Sequence, residues 1–170
     1  MDKLVGKATE IILFLMNADR EKLFELREHK KKRSLSQNDY YWVLVGKVAE
    51  KTRVKSNEVH NRNLRDLGLV MRINEKLVPV YIPDTDEAEK TAINADTYHI
   101  KPTSQTMQGK DGITYRCYVM LRGSSTFNTE EMGALLDLMI QEAKAAGVQT
   151  MTPNELARIR ELEKSRRGSK

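Results

Sequence analysis

Residues 128–147 constrain the fold more than any other stretch. Met132, Leu135, Leu136, Met139, Ile140 and Ala143 recur at i, i+3, i+4, i+7 spacing, which gathers them on one stripe of an α-helix. Asn128 at the N-cap and Glu131 at N3 make a capping box, and Glu130 adds favourable charge to the first turn. Gly147 supplies the left-handed stop. Leu135, Leu136 and Met139 are therefore core residues, on a stripe wide enough to reach a dimer partner as well.

The rest of the chain reads as helices and strands in separate runs. Residues 6–17 form a short helix with an apolar stripe of Ile11, Ile12, Leu15 and Met16, and Leu23 to Arg27 is strand-like. Ser34 and Gln37 form a second capping box, opening a helix to about Thr52. On a helical wheel its apolar stripe holds Trp42, Val45 and Ala49, flanked by Tyr41 and Val48, with Tyr40 pointing outward. A further helix runs from Ser56 to Asp66 and stops at Gly68. Leu69 to Ile82 reads as two strands around Asn74-Glu75-Lys76, the second an edge strand or a short one because of Pro79. Residues 83–112 are polar and hold Pro83, Pro102, Gly109 and Gly112, the mark of a long connection or lid with at most a helical turn. Ile113 to Arg122 returns to strand, with Tyr115, Cys117, Val119 and Leu121 on one face. Thr152-Pro153-Asn154-Glu155 starts the last helix, which dissolves into a basic tail at 165–170. The expected fold is α+β. It is one domain over 1–164, with a small mixed or antiparallel sheet packed by several helices and room for two lobes.

Bulk properties exclude several classes. The 39% hydrophobic content and the periodicity exclude a disordered chain. The longest apolar run, Ile11 to Met16, cannot span a bilayer, so no membrane is expected and a cytoplasmic location is the default expectation. A lone cysteine, Cys117, excludes a disulfide framework or a multi-cysteine zinc site. The net charge of +5 is unevenly spread: Arg27 to Ser34 holds five basic residues against Glu28, and Arg158 to Lys170 six against Glu161 and Glu163. Residues 75–112 instead carry seven acidic residues against four lysines. Two basic patches with an acidic middle point to a polyanionic partner.

The basic run Lys30, Lys31, Lys32 and Arg33 lies directly before the Ser34 helix start, where the helix dipole already concentrates positive charge. That combination makes an anion site suited to phosphate, largely indifferent to base sequence and sensitive to salt. Gln37 and Asn38 in the first turns would shape it. Asn38 falls within the expected apolar stripe, where its amide needs partners and could equally tie down a neighbouring segment.

Catalytic signals are weak. His29, His60 and His99 stand far apart, none at metal-ligand spacing. Val59-His60-Asn61-Arg62-Asn63 bears a faint likeness to an HNH-type nuclease, which needs further His and Asn ligands at set separations. Asp84, Asp86 and Glu87 could hold Mg²⁺ but read better as a solvated acidic face. Ser124-Ser125-Thr126 has no nucleophile elbow, and no phosphate-cradling glycine loop is present. No catalytic residue, metal site or cofactor is expected.

Two blocks resemble a known family. Residues 31–50, KKRSLSQNDYYWVLVGKVAE, are similar to the Arg-Ser-Leu-Asp-Gln-Asn…Trp signature of the phage NinB (Orf-type) recombination proteins. Residues 121–152, LRGSSTFNTEEMGALLDLMIQEAKAAGVQTMT, resemble that family's second block, a strand ending in a Ser-rich turn before a helix. The signature falls on Arg33, Ser34, Leu35, Gln37, Asn38 and Trp42, and the turn on Ser124, Ser125 and Thr126. Ser36 stands where the family has Asp, which leaves this helix end more positive. The resemblance implies a homodimeric, non-enzymatic protein of phage recombination that binds single-stranded and duplex DNA with little sequence preference. Such proteins help load a recombinase or annealing protein onto strands coated by single-stranded-DNA-binding protein. On this reading Lys30, Lys31, Lys32, Arg33 and Ser34 hold phosphates, Arg122, Ser124 and Ser125 complete the surface, and Arg166 and Arg167 add affinity from the tail. The rival expectations are a metal-dependent nuclease built on the acidic 84–96 region and a protein-interaction adaptor of the replication machinery that does not bind DNA.

Overall fold

Helix ends fall where capping side chains can serve the unpaired backbone groups, and this chain is well supplied with such side chains. The structure, a computed structural model, describes residues 6–19, 21–25, 35–152, 154–157 and 161. The chain divides into two units, Met1–Lys31 and Lys32–Lys170.

In the first unit α1 spans Ala8–Met16. The Glu10 carboxylate accepts from the Lys7 backbone N–H at 2.7 Å, and Asn17 Nδ2 donates to the Leu13 carbonyl at 2.8 Å. Phe14 packs edge-on against Phe24, ring centroids 6.0 Å apart. Residues 23–25 belong to no strand, which corrects the strand expected over Leu23 to Arg27; Leu26 and Arg27 lie outside the described residues. A strand needs a partner edge, and Phe24 turns to its neighbouring helix instead.

The second unit has an α+β architecture. Three helices, α2 (Leu35–Thr52), α3 (Ser56–Leu67) and, later in the chain, Thr129–Ala145, enclose the larger core. Gly68 stops α3 with φ 70°. The 129–145 helix opens as its sequence demands: Asn128 Oδ1 accepts from the N–H groups of Glu130 and Glu131, both at 2.9 Å, and Glu131 Oε2 accepts from Asn128 N–H at 2.9 Å. At its other end Gly147, with φ 67°, lets Val148 N–H reach the Ala143 carbonyl at 2.8 Å and Gly147 N–H reach Lys144 at 3.0 Å, a Schellman closure. Replacing Asn128 with Ala should cost about 1 kcal/mol in urea unfolding. An unchanged midpoint would mean that the box is ornamental.

Met132, Leu135 and Met139 of that helix pack against Tyr41, Leu44, Val45 and Val48 of α2, all fully buried. The buried stripe of α2 is thus centred one position before the expected one. Trp42 is 40% exposed, whereas Tyr40 is buried and its hydroxyl accepts from the Met151 N–H at 2.6 Å. Residues Val148, Met151 and Leu156 cover that flank, a neighbour that a wheel drawn for α2 alone cannot register. Asn38 sits half-buried at the margin of the stripe rather than in its middle.

Strands β1 (Arg72–Ile73) and β2 (Lys76–Leu77) form a hairpin whose two turn residues, Asn74 and Glu75, both have positive φ. Strand β3 (Pro79–Pro83) follows as an edge strand, the place its prolines allow. Residues 83–112 are not a long connection. They hold helix α4 (Asp86–Ile93), capped by Thr85, and strand β4 (Ile100–Gln108), the opposite edge of a three-stranded antiparallel sheet ordered β3-β5-β4 with β5 (Thr114–Met120). A polar sequence suits β4 because an edge strand is half solvated. The ladder slips between Pro102 and Thr106, and Thr103 Oγ1 donates to the Cys117 carbonyl there. The sheet face under α4 is Tyr118 with Val80, Ile82, Ile100 and Met120 around Ala92. Of the face expected to be core, Cys117 and Leu121 are buried but Tyr115 and Val119 only partly so.

The last elements are labelled α5 (Thr129–Ala145) and a short helical stretch at 154–157, where Glu155 accepts from Thr152 N–H at 2.7 Å. No helix among the described residues is long and apolar enough to cross a membrane.

Candidate nucleic-acid interface

Four segments distant in sequence meet beside Trp42. His60, in the second turn of α3, lies 4.7 Å from the indole, centroid to centroid, at an interplanar angle of 37°. Its Nδ1 shares a 2.7 Å hydrogen bond with the Tyr41 hydroxyl from α2. His99, just before β4, meets His60 edge to face at 5.4 Å. Gly123, after β5, closes the row: a Cβ built there would lie 3.4 Å from His99 Cδ2 and Nε2 and 3.8 Å from Ser125 Oγ.

The polar side of α3 holds this arrangement in place. Asn61 Nδ2 donates to the carbonyls of Ile93 and Ala95, both at 2.8 Å, so its Oδ1 faces His99 Nδ1 at 2.5 Å. Asn63 donates to Glu142 of α5, and Arg62 pairs with the same carboxylate at 2.9 Å. Burial, and then the neighbouring His99, pull His60 down to about 4. Burial also lowers His99. Both imidazoles are therefore neutral at pH 7. Burial, followed by the Glu142 charge, keeps the Tyr41 hydroxyl protonated well above its usual range.

The residues named from sequence fare unequally. Lys30, Lys31, Lys32, Arg33 and Ser34 lie outside the described residues, as do Arg166 and Arg167. Gln37 is buried and Asn38 half-buried, both on α2 below Trp42. Arg122 does not offer an open charge to a phosphate: its guanidinium holds both Glu131 oxygens, at 2.6 and 3.0 Å, donates to the Thr126 carbonyl, and lies over the Phe127 ring. It fixes the turn after β5 to the cap of α5. Ser124 to Thr126 form a short 3₁₀ turn on which Ser125 is exposed.

His60 and His99 are the functional candidates that sequence reasoning set aside. Their separation along the chain hides a contact made only when α3 packs beside β4. The one signal available was the polar run His60-Asn61-Arg62-Asn63, which at 100° per residue covers too much of the helix to stay wholly off the buried face of Val59 and Leu64. Two carboxylates of the acidic region are engaged in pairs, while Asp86, Glu87 and Asp96 are exposed. Asp84 is held by Arg116 at 2.7 and 3.0 Å, and Glu89 binds Arg65 and the Tyr118 hydroxyl. Among the described residues no group of three His, Cys, Asp or Glu side chains could hold a metal ion. Comparison with protein-family models, with curated proteins and with solved structures gives no match to this chain.

Proposed function

We propose that this chain is a non-enzymatic DNA-binding protein of phage recombination or replication, which holds single-stranded and duplex DNA chiefly through phosphates. The observation that carries this reading is the exposed indole of Trp42 on α2, the helix that follows the Lys30 to Arg33 run in sequence. An aromatic ring backed by a neutral His60 presents a flat stacking surface, and a cationic run beside it in sequence supplies the phosphate attraction. The likeness of residues 31–50 and 121–152 to the NinB blocks supports the recombination setting, the homodimer and the role in loading a recombinase or annealing protein onto single strands.

The test titrates single-stranded and duplex DNA at two salt concentrations, with and without Mg²⁺. Binding that weakens steeply with salt and leaves the DNA intact is expected. Mg²⁺-dependent cutting, or no binding at low salt, would replace this reading with the nuclease or the adaptor.

A further inference from the structure

The three-stranded sheet buries one face under α4 and leaves tyrosines on the other. Val80, Ile82, Tyr118 and Met120 pack around Ala92 on the α4 side. Alternation along β3 and β5 therefore sends Tyr81, Tyr115, Cys117 and Val119 to the opposite side. Lys101, cross-strand from Val119, joins that side to the last turn of α3 by donating to the Arg65 carbonyl at 2.7 Å. Farther from α3 the face is open: Tyr81 and Met107, the cross-strand neighbour of Tyr115, are each 49% exposed.

Register places the two tyrosines together. Tyr81 lies opposite Cys117 and Tyr115 opposite Pro83, so they are diagonal neighbours on adjacent strands, about 7 to 8 Å apart. One extended nucleotide step spans that separation. The Tyr81 hydroxyl meets the Cys117 thiol, whose hydrogen bond raises its pKa, so the ring is laid along the sheet instead of standing off it. It covers Cys117, which is buried, and turns its outer face to solvent. Tyr115 is fixed too, because its hydroxyl donates to Asp111 Oδ2 at 2.8 Å.

Charge selects the occupant. The hairpin leading into β3 exposes Arg72 and Lys76, with Glu75 between them, and Lys101 lies on the face itself. The carboxylate beside Tyr115 is already engaged: Asp111 accepts from that hydroxyl and, at 3.0 Å, from the Ile113 N–H. Fixed aromatic rings on a sheet with cations at its margin suit bases and phosphates together.

We propose that Tyr81 and Tyr115 form a platform on which two neighbouring bases of single-stranded DNA stack, with Arg72 and Lys76 at the phosphates. This rests on the DNA-binding reading and deepens it: duplex DNA is held through phosphates, whereas a single strand adds its unpaired bases. Every base has a π-face, so the platform carries little sequence preference.

The experiment measures polarisation of labelled single-stranded and duplex DNA of equal length with wild type, Tyr81→Ala and Tyr81→Phe. In parallel, photocrosslinks from an iodouracil-substituted single strand are mapped on wild type. Tyr81→Ala should weaken single-strand binding about 5- to 100-fold, the worth of one stacked base, and leave duplex affinity and both salt dependences unchanged. Tyr81→Phe keeps the ring and should bind as wild type does. Crosslinks should fall on Tyr81 or Tyr115, a result that does not depend on how any variant folds. Unchanged single-strand affinity in Tyr81→Ala, an equal loss on duplex, or crosslinks confined to other residues overturns the platform and leaves the DNA-binding reading standing. Loss of self-association in Tyr81→Ala by sedimentation, with DNA affinity unchanged, assigns the face to a second copy of the chain instead. No binding of wild type to either DNA overturns both.

Discussion

Acidification from pH 7 to pH 4 should destabilise the second unit through its buried histidines. His60 has an ordinary value of 6.5 and is pulled down to about 4 by burial and by His99. Between those two values the unfolded chain binds a proton that the folded chain refuses, so stability falls as pH falls. The contribution is complete above about pH 6.5 and lost by about pH 4. For a shift of this size the loss is about 3 kcal/mol. His99 moves in the same direction, and charging both rings would place two cations edge to face. Glu89 acts in a lower window. Burial raises it, but hydrogen bonds from Arg65 and Tyr118 prevail and hold it below 4.5, so its contribution is lost only in stronger acid. Urea midpoints measured across pH 7, 5.5 and 4.5 should therefore drop steadily. His60→Gln, which keeps a partner for the Tyr41 hydroxyl but cannot charge, should flatten most of that slope. An equally steep slope in the variant would assign it to other groups.

The second large effect concerns DNA. Replacing Lys31, Lys32 and Arg33 together with Ala should lower the slope of log K against log salt by about 0.9 for each duplex phosphate left without its cation, or about 0.7 for single strands. Three such phosphates would remove about 2 to 3 from the slope, far more than any single base contact contributes. A charge-matched control, Lys90, Lys110 and Lys144 to Ala, changes the same net charge at exposed positions of the second unit distant from the run in sequence. If both triples shift the slope alike, the basic run is only part of a diffuse field and the phosphate site is not where the sequence places it.

Local chemistry accounts for what could be read in advance. The stop of α3 at Gly68, the ends of α5 and the hairpin turn at Asn74-Glu75 depend on residues within a few positions of each other. So does the edge placement of β3, which Pro79 dictates from within the strand. β4 escapes such a reading because an edge strand needs no apolar alternation, only a partner, and that partner lies beyond the Gly109–Gly112 turn. Arg122 reads as a phosphate contact only while Glu131 is counted as a cap and nothing else.

The amino-acid sequence by itself determined α1, α3 and α5, the body of α2, the Asn128 cap and Gly147 stop of α5, the concentration of positive charge before α2 and the core stripe of α5, because each depends on neighbours in the chain. Only the tertiary structure decided that Tyr40 is buried and Trp42 exposed, since the 148–156 segment and α3 choose which flank of α2 is covered. It also brought His60, His99 and Gly123 into one row. Those contacts arise when α3 and the sheet pack together, and no periodicity along the chain encodes which polar side chains will then face one another.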